Sequence, residues 1–229
     1  MKKNDFDQLK NSWNTYGKTE PFWAVLTSEN FKQHNLNESE LSKFYQSGKH
    51  TIDRLEKILN QHQSTFEDKL VLDFGCGVGR LTKPCLEICK KIYGLDIGQS
   101  YLDIAKKTVP TGEFFLVDNF NKLPDLPSNP DIIYSIITLQ HNRPMLMKLY
   151  VFLLLKSLNK YGIALLHIPY KVNNYISHND NHHRMEMHFL EKSEVRKIVN
   201  TVGCQILDTV ETKYCGESIF DCIYVIRKI

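Results

Sequence analysis

The run Val71-Leu72-Asp73-Phe74-Gly75-Cys76-Gly77-Val78-Gly79-Arg80 holds the chain's clearest chemical signal. An apolar stretch ends there in three alternating glycines. Without β-carbons the backbone turns tightly and can approach a ligand closely. The spacing is GxGxG, whereas a dinucleotide fingerprint reads GxGxxG. Asp73 stands two residues before the first glycine. A carboxylate there repels a pyrophosphate and attracts the ammonium of an amino-acid-like ligand. A second acid, Asp96, closes another apolar run 21 residues after Gly75. It can accept hydrogen bonds from both hydroxyls of a ribose. Asp118, Asn119 and Phe120 follow a third run. An acid, an amide and an aromatic ring suit adenine, with the carboxylate accepting from the exocyclic amine. Three acids at the carboxyl ends of consecutive strands match the ligand crevice of open α/β sheets.

The histidines form a second group. His141 follows a fourth apolar run and precedes Asn142-Arg143-Pro144. An imidazole titrating near neutrality suits removal of a proton from a hydroxyl, so His141 is the candidate base; the competing role is to cap its loop. His167 ends a fifth run and either faces the crevice or bonds within the core. His178, His182, His183 and His188 lie within 11 residues, with Asp180, Arg184 and Glu186 among them. Imidazoles suit zinc or iron, but this stretch has no helical or strand register to converge ligands. The expectation is no metal; His182, His183 and Arg184 are read as a polar substrate wall or a solvated loop. In the first 45 residues, Trp13, Tyr16, Phe22 and Trp23 stand among polar residues. Aromatics on an extension dock onto a domain, and Tyr16 and Trp23 are candidates to cap a ligand pocket.

These residues need elements to hold them. Periodicity predicts helices over 44–61, 80–90, 99–108, 144–158 and 191–202, the last stopped by Gly203. Strands are expected over 69–74, 92–96, 113–117, 131–136, 162–168, 205–212 and 218–226, the last two flanking a turn at 215–217. The alternation predicts an α/β fold, a Rossmann-like three-layer sandwich. Its seven-stranded sheet would be mostly parallel, with an antiparallel last strand. The expected division is an N-terminal extension over 1–45, serving as a lid, and one domain over 46–229.

Composition narrows the class. The chain has 229 residues, 42% hydrophobic and 24% charged, with a formal net charge of +3. Interleaved charges give no footprint for nucleic acid or a membrane surface. No apolar run is long enough to span a bilayer, and the basic start MKKNDFDQLK lacks the apolar core of a signal peptide. Six cysteines without a CxxC pair predict reduced thiols in a cytoplasmic protein. Cys85 and Cys89, four apart, are expected to pack in the core rather than bind metal.

The set of motifs resembles the class I S-adenosylmethionine (SAM) dependent methyltransferases, especially the small-molecule branch called types 11 and 12. VLDFGCGVGR is similar to their first motif, GLDIGQSYLDIAKK to the second and FFLVDNF to the third. DIIYSIITLQH resembles the fourth, and YGIALLHIP the fifth strand. The opening WNTYGKTEPFWAVLT and FYQSG resemble a bacterial subgroup associated with surface-glycan or small-metabolite pathways.

The resemblance implies that Gly75, Cys76 and Gly77 lie against the methionine part of SAM, supported by Asp73. Asp96 would bind the ribose, Ile97 would pack on adenine, and Asp118, Asn119 and Phe120 would border that ring. Thr138 and Leu139 would pass near the sulfonium. One departure is visible: the interval from Asp118 to Leu123-Pro124 is one residue longer than the family pattern. Ser135-Ile136-Ile137-Thr138 stands where nucleic-acid base methyltransferases carry an Asn/Asp-Pro-Pro-aromatic run. The implied activity is methyl transfer to a hydroxyl, carboxyl or amine of a small metabolite or sugar, leaving S-adenosylhomocysteine (SAH). A SAM-binding protein without transferase activity and a nicotinamide-dependent oxidoreductase are the alternatives.

Overall fold

The computed structural model describes residues 3–172 and 185–229. Two compact units divide the chain, the first ending at Asn119 and the second running from Phe120 to Ile229. Seven strands form one sheet in the order β3-β2-β1-β4-β5-β7-β6.

In the first unit, β1 (Leu70–Phe74), β2 (Lys91–Asp96) and β3 (Glu113–Leu116) pair in parallel. Helices α1 (Lys3–Thr19) and α2 (Pro21–Val25) precede them. Helix α3 (Glu38–Gln61) starts six residues before the helix expected at 44. The reason is local: Asn37 caps it by accepting from the Glu40 amide at 3.0 Å, and Glu38 and Glu40 suit the positive end of the helix. Its stripe of Phe44, Gly48, Ile52, Leu55 and Leu59 is buried. Each large side chain of that stripe contributes about 1.5–3 kcal/mol.

Helix α4 (Thr82–Leu86) is shorter than the 80–90 expected. Pro84 has no N–H to offer the Arg80 carbonyl. That carbonyl lies against Gly48, where an added β-carbon would come within 2.1 Å of its oxygen. Cys85 is buried and Cys89 partly so; all six cysteines are free thiols. Helix α5 (Gln99–Thr108) buries Tyr101, Leu102 and Ala105.

In the second unit, β4 (Ile132–Ser135) pairs in parallel with β5 (Ile163–Val172). Helix α6 (Pro144–Ser157) lies between them in sequence, with Pro144 in its first turn, where a missing N–H costs nothing. Helix α7 (Lys192–Thr201) ends at Gly203, whose φ is +67°. Strand β6 (Cys204–Thr212) then turns back into β7 (Ile219–Lys228). β7 lies between β5 and β6 and runs antiparallel to both.

β5 continues four residues past its expected end because Pro169 falls beyond the pairing with β4, which stops at Leu166. The ladder to β7 shifts register between Pro169 and Lys171. Among the described residues no helix is long and apolar enough to cross a membrane.

Candidate functional site

In the first unit the site is built on the turn that leaves β1. The amides of Gly75 and Cys76 both donate to the Leu95 carbonyl, at 2.7 and 3.0 Å, tying the turn to β2. Gly77 has a φ of +53°, and an added β-carbon would meet the Val25 side chain at 2.9 Å. Asp96 fastens this turn. One of its oxygens accepts from the Gly77 amide at 2.9 Å, the other from the Gly98 amide at 2.8 Å. Each carboxylate oxygen has a second lone pair, so capacity for two further donors remains. Burial pushes the Asp96 carboxyl up to about 6, although three backbone amides pull it down. Asp73 is buried and accepts from the Thr82 hydroxyl at 2.6 Å. Burial, Asp96 and Asp73 together raise the Cys76 thiol well above its ordinary value, so it stays protonated.

The N-terminal aromatics pack over α5. Trp13 lies 5.9 Å from Tyr16 and 6.2 Å from Tyr101, and Tyr16 lies 6.3 Å from Trp23, centroid to centroid. Ser100 donates to the Asn14 carbonyl at 3.1 Å. Phe22 and Phe31 both meet Phe44 edge-on at 5.2 Å, anchoring the segment to α3. Tyr101 was not among the residues singled out from sequence, where it reads as one more apolar position of α5. Its hydroxyl is buried with no hydrogen-bond partner among the described residues, and its pKa is raised by burial and by the nearby charge of Asp96.

Asp118 and Asn119 are exposed and Ile97 is half-buried. The Val117 amide donates to the Asp96 carbonyl at 2.9 Å, which holds the residue before Asp118 against the end of β2.

In the second unit, β4 ends at Ser135, one residue before its expected end. Ile137 has a φ of +56°, a conformation that a β-branched residue rarely adopts. Thr138 begins a short 3-10 turn over Leu139–His141. The Nδ1 of His141 lies 3.0 Å from the Glu186 carbonyl oxygen. A carbonyl only accepts, so Nδ1 carries the proton and Nε2 is the ring's basic nitrogen. Burial, with smaller contributions from His188 and His167, lowers the His141 pKa to about 4, away from the neutral value expected from sequence.

The same carbonyl belongs to a residue whose side chain meets His188 Nε2 at 3.0 Å and Arg143 Nε at 3.6 Å. The His188 amide donates to the Gln140 carbonyl at 2.7 Å. Of the histidine-rich stretch, Glu186 and His188 are thus held against the 140–143 turn, whereas His178, Asp180, His182, His183 and Arg184 lie outside the described residues. Both amide atoms of Gln140 are buried without a hydrogen-bond partner among the described residues. Phe120 is half-buried in this unit.

His167 is wholly buried on β5. Its Nδ1 accepts from the Ile137 amide at 3.3 Å, and its Nε2 lies 3.2 Å from Oδ1 of buried Asp221. Asp221 escaped the reading of the sequence; an acid inside the apolar run of β7 was the available signal. His167, Cys215 and Asp221 bring their potential ligand atoms within 4.8 Å of one another. A metal at Nε2 would have to displace the ring's proton, because Nδ1 already accepts from an amide. The cluster therefore reads as a close His167–Asp221 pair in which Asp221 is hydrogen-bonded to Thr212 and Cys215.

The family described as "Methyltransferase domain" matches residues 71–154. An uncharacterised methyltransferase of Oceanobacillus iheyensis is 34% identical over 90 residues, 39% of this chain and 41% of that protein. The chain thus spans less than half the length of the curated relatives it matches. Magnesium protoporphyrin IX methyltransferase from Synechocystis PCC 6803, solved with bound SAH, superposes with a TM-score of 0.68 at 18% identity, over 96% of this chain and 98% of that one. An amino pentose methyltransferase from Micromonospora echinaspora, solved with bound SAM, gives a TM-score of 0.56 at 13% identity, over 79% and 91%. The matched segment is thus similar to methyltransferase domains, and the chain shares the fold of these SAM-dependent methyltransferases.

Proposed function

We propose that this chain transfers a methyl group from SAM to a hydroxyl of a small metabolite or sugar, with a carboxyl or amine as the alternative acceptor. The observation that carries the reading is Asp96, fixed by the Gly77 and Gly98 amides beside Tyr101. Its remaining lone pairs suit a ribose diol. The Tyr101 hydroxyl, buried near the same carboxylate with no partner among the described residues, also fits a polar ligand there. Gly75, Cys76 and Gly77, with Asp73 behind them, would hold the amino-acid end. Ile97, Asp118, Asn119 and Phe120 would border adenine, and Thr138 and Leu139 the sulfonium.

SAM supplies an electrophilic methyl on its sulfonium. The chain's part is alignment, exclusion of water and custody of one proton. His141 would accept the acceptor hydroxyl's proton at Nε2 as the methyl transfers. With a pKa of about 4 the ring is neutral at pH 7, the form a base needs, though a weak one. Tyr16, Trp23, His167, His182, His183 and Arg184 were the candidates for the acceptor side. We infer the acceptor side for Tyr16 and Trp23, whose rings lie 6.3 Å apart. Nδ1 of His167 accepts from the Ile137 amide and Nε2 lies beside buried Asp221, which favours a supporting role for it.

The structural relatives named above are a magnesium protoporphyrin IX methyltransferase and an amino pentose methyltransferase, which supports a small acceptor without choosing one. Calorimetric titration with SAM, SAH and NAD tests the cofactor, and binding of NAD alone would refute it. Sugar nucleotides, sugar phosphates and small acids, incubated with labelled SAM, then test transfer. Tight SAM binding with no labelled product across that panel would favour a SAM-binding protein without transferase activity.

A further inference from the structure

We propose that Asp221 and His167 are a positioning pair that locks the strained turn after β4 and thereby sets the direction of His141. The proposal rests on the methyltransferase reading above for what that turn serves. Its physical basis does not depend on that reading.

The strain is at Ile137, whose φ of +56° places a β-branched side chain in the left-handed region. Such a residue persists only where its surroundings over-determine it. Here the determinant is its own amide, which donates to His167 Nδ1 at 3.3 Å. An amide needs a lone pair to bond to, so Nδ1 is bare and the neutral ring carries its proton on Nε2. That nitrogen lies 3.2 Å from Asp221 Oδ1, close enough for charge attraction although the pair does not meet hydrogen-bond geometry.

Asp221 is itself held from two sides. The Cys215 amide donates to Oδ2 at 2.9 Å, and the Thr212 hydroxyl donates to Oδ1. Burial alone would raise its pKa, but the donors of His167, Thr212 and Cys215 hold it well below the usual carboxylate range. The Tyr214 ring packs edge-on against His167 at 5.2 Å. Hydrogen bonds and one close His167–Asp221 contact thus link Thr212 on β6 through β7 and β5 to the turn.

The turn transmits what it receives. The His141 amide donates to the Thr138 carbonyl at 3.1 Å, and the Asn142 side chain donates to the carbonyls of Thr138 and Leu139 at 3.1 and 3.3 Å. Residues 138–142 therefore move as one piece, and the orientation of Ile137 fixes where His141 points. The opposite tautomer would set Nδ1–H against the Ile137 N–H, donor to donor. It would also leave the carboxylate facing a lone pair. A buried carboxylate that selects one histidine tautomer is a familiar device for orienting a ring.

Asp221→Asn tests this. The one amide oxygen stays with the Cys215 N–H, which turns the NH2 toward His167 Nε2 and reverses the tautomer. In wild type, ring nitrogen NMR of the 15N-histidine-labelled protein should show His167 protonated on Nε2 alone. In Asp221→Asn the proton should move to Nδ1, and SAH affinity should fall about tenfold. Adding Ile137→Gly should restore that affinity to within about twofold, because glycine holds the left-handed turn without help.

A wild-type ring protonated on Nδ1 would overturn the proposal without any variant, even if Asp221→Asn does not fold. An unchanged affinity in folded Asp221→Asn, or a loss that Ile137→Gly fails to restore, would overturn it too. A wild-type chain that binds no SAH would refute the methyltransferase reading instead, and the ring spectra would still judge the pair.

Discussion

Asp96 and His141 change charge in overlapping acid windows, with opposite effects on stability. Asp96 titrates at about 6 in the fold against 3.8 in a free chain. Between those values the native state holds a proton that the unfolded state has lost. The ionised carboxylate therefore costs stability at pH 7, and the cost is relieved as pH falls from 6 toward 4. Asp96→Asn, which sets an NH2 against one of the two amides, should abolish the part of the urea-midpoint difference between pH 7 and pH 4 that Asp96 contributes. SAM affinity should fall by about 2 kcal/mol in Asp96→Ala, the scale of a hydrogen bond to a charged group; calorimetry that finds no loss would remove Asp96 from the cofactor site. His141 runs the other way. Its pKa drops from 6.5 to about 4 on folding, so the unfolded chain binds the extra proton and stability declines as pH falls through that interval. As a base, His141→Ala should lower kcat by about 10²–10⁴-fold with SAM binding nearly intact. The wild-type rate should show its acid limb near pH 4 rather than between 6 and 7. Loss of SAM affinity in step with activity would assign His141 to the scaffold.

At the scale of elements, two close approaches determine what α1 and α3 can do. Gly48 on α3 sits against the Arg80 carbonyl, with no room for a β-carbon. Gly48→Ala should cost about 1–3 kcal/mol by overpacking, read as a lower urea midpoint with an unchanged slope. Gly17 on α1 is the counterpart, where an added β-carbon would come 2.2 Å from the Ser100 hydroxyl. That contact brings Trp13 and Tyr16 beside Tyr101. We propose that residues 1–25 act as a lid over the cofactor. Their deletion should weaken SAM binding while cooperative unfolding persists; unchanged affinity and turnover would reduce the segment to packing. The aromatic spacing announced an extension of this kind, but sequence reading left α1 and α2 unassigned. Polar residues dilute their apolar faces, and Pro21 interrupts them. Glycine spacing and strand-end acids were legible because they are local. Ile137, Gln140 and Asp221 were not, because their significance lies in a φ angle, in missing partners and in a contact 54 residues away, between His167 and Asp221.

At the scale of the molecule, the order of the strands makes the last one structural rather than peripheral. The alternating pattern predicted seven strands and an antiparallel one among the last pair, because a tight turn at Gly216 can only join antiparallel neighbours. Pattern alone did not say that β7 would lie inside β6. The composition of β7 carries the reason: Cys222, Ile223, Tyr224, Val225 and Ile226 are all at most 1% exposed, whereas β6 alternates with solvent-facing residues. A run apolar on both faces belongs in the interior of a sheet, and an alternating one at its edge. Removing residues 219–229 would therefore strip β5 of its antiparallel neighbour, leave β6 without a partner and remove Asp221 from His167. The expected product binds a hydrophobic dye and unfolds in urea with a reduced slope, the signature of lost tertiary packing. Removing residues 1–25 should leave slope and dye binding near those of the full chain. If the C-terminal deletion unfolds as cooperatively as the intact protein, β7 is not the strand that completes the sheet, and the link through Asp221 loses its structural support.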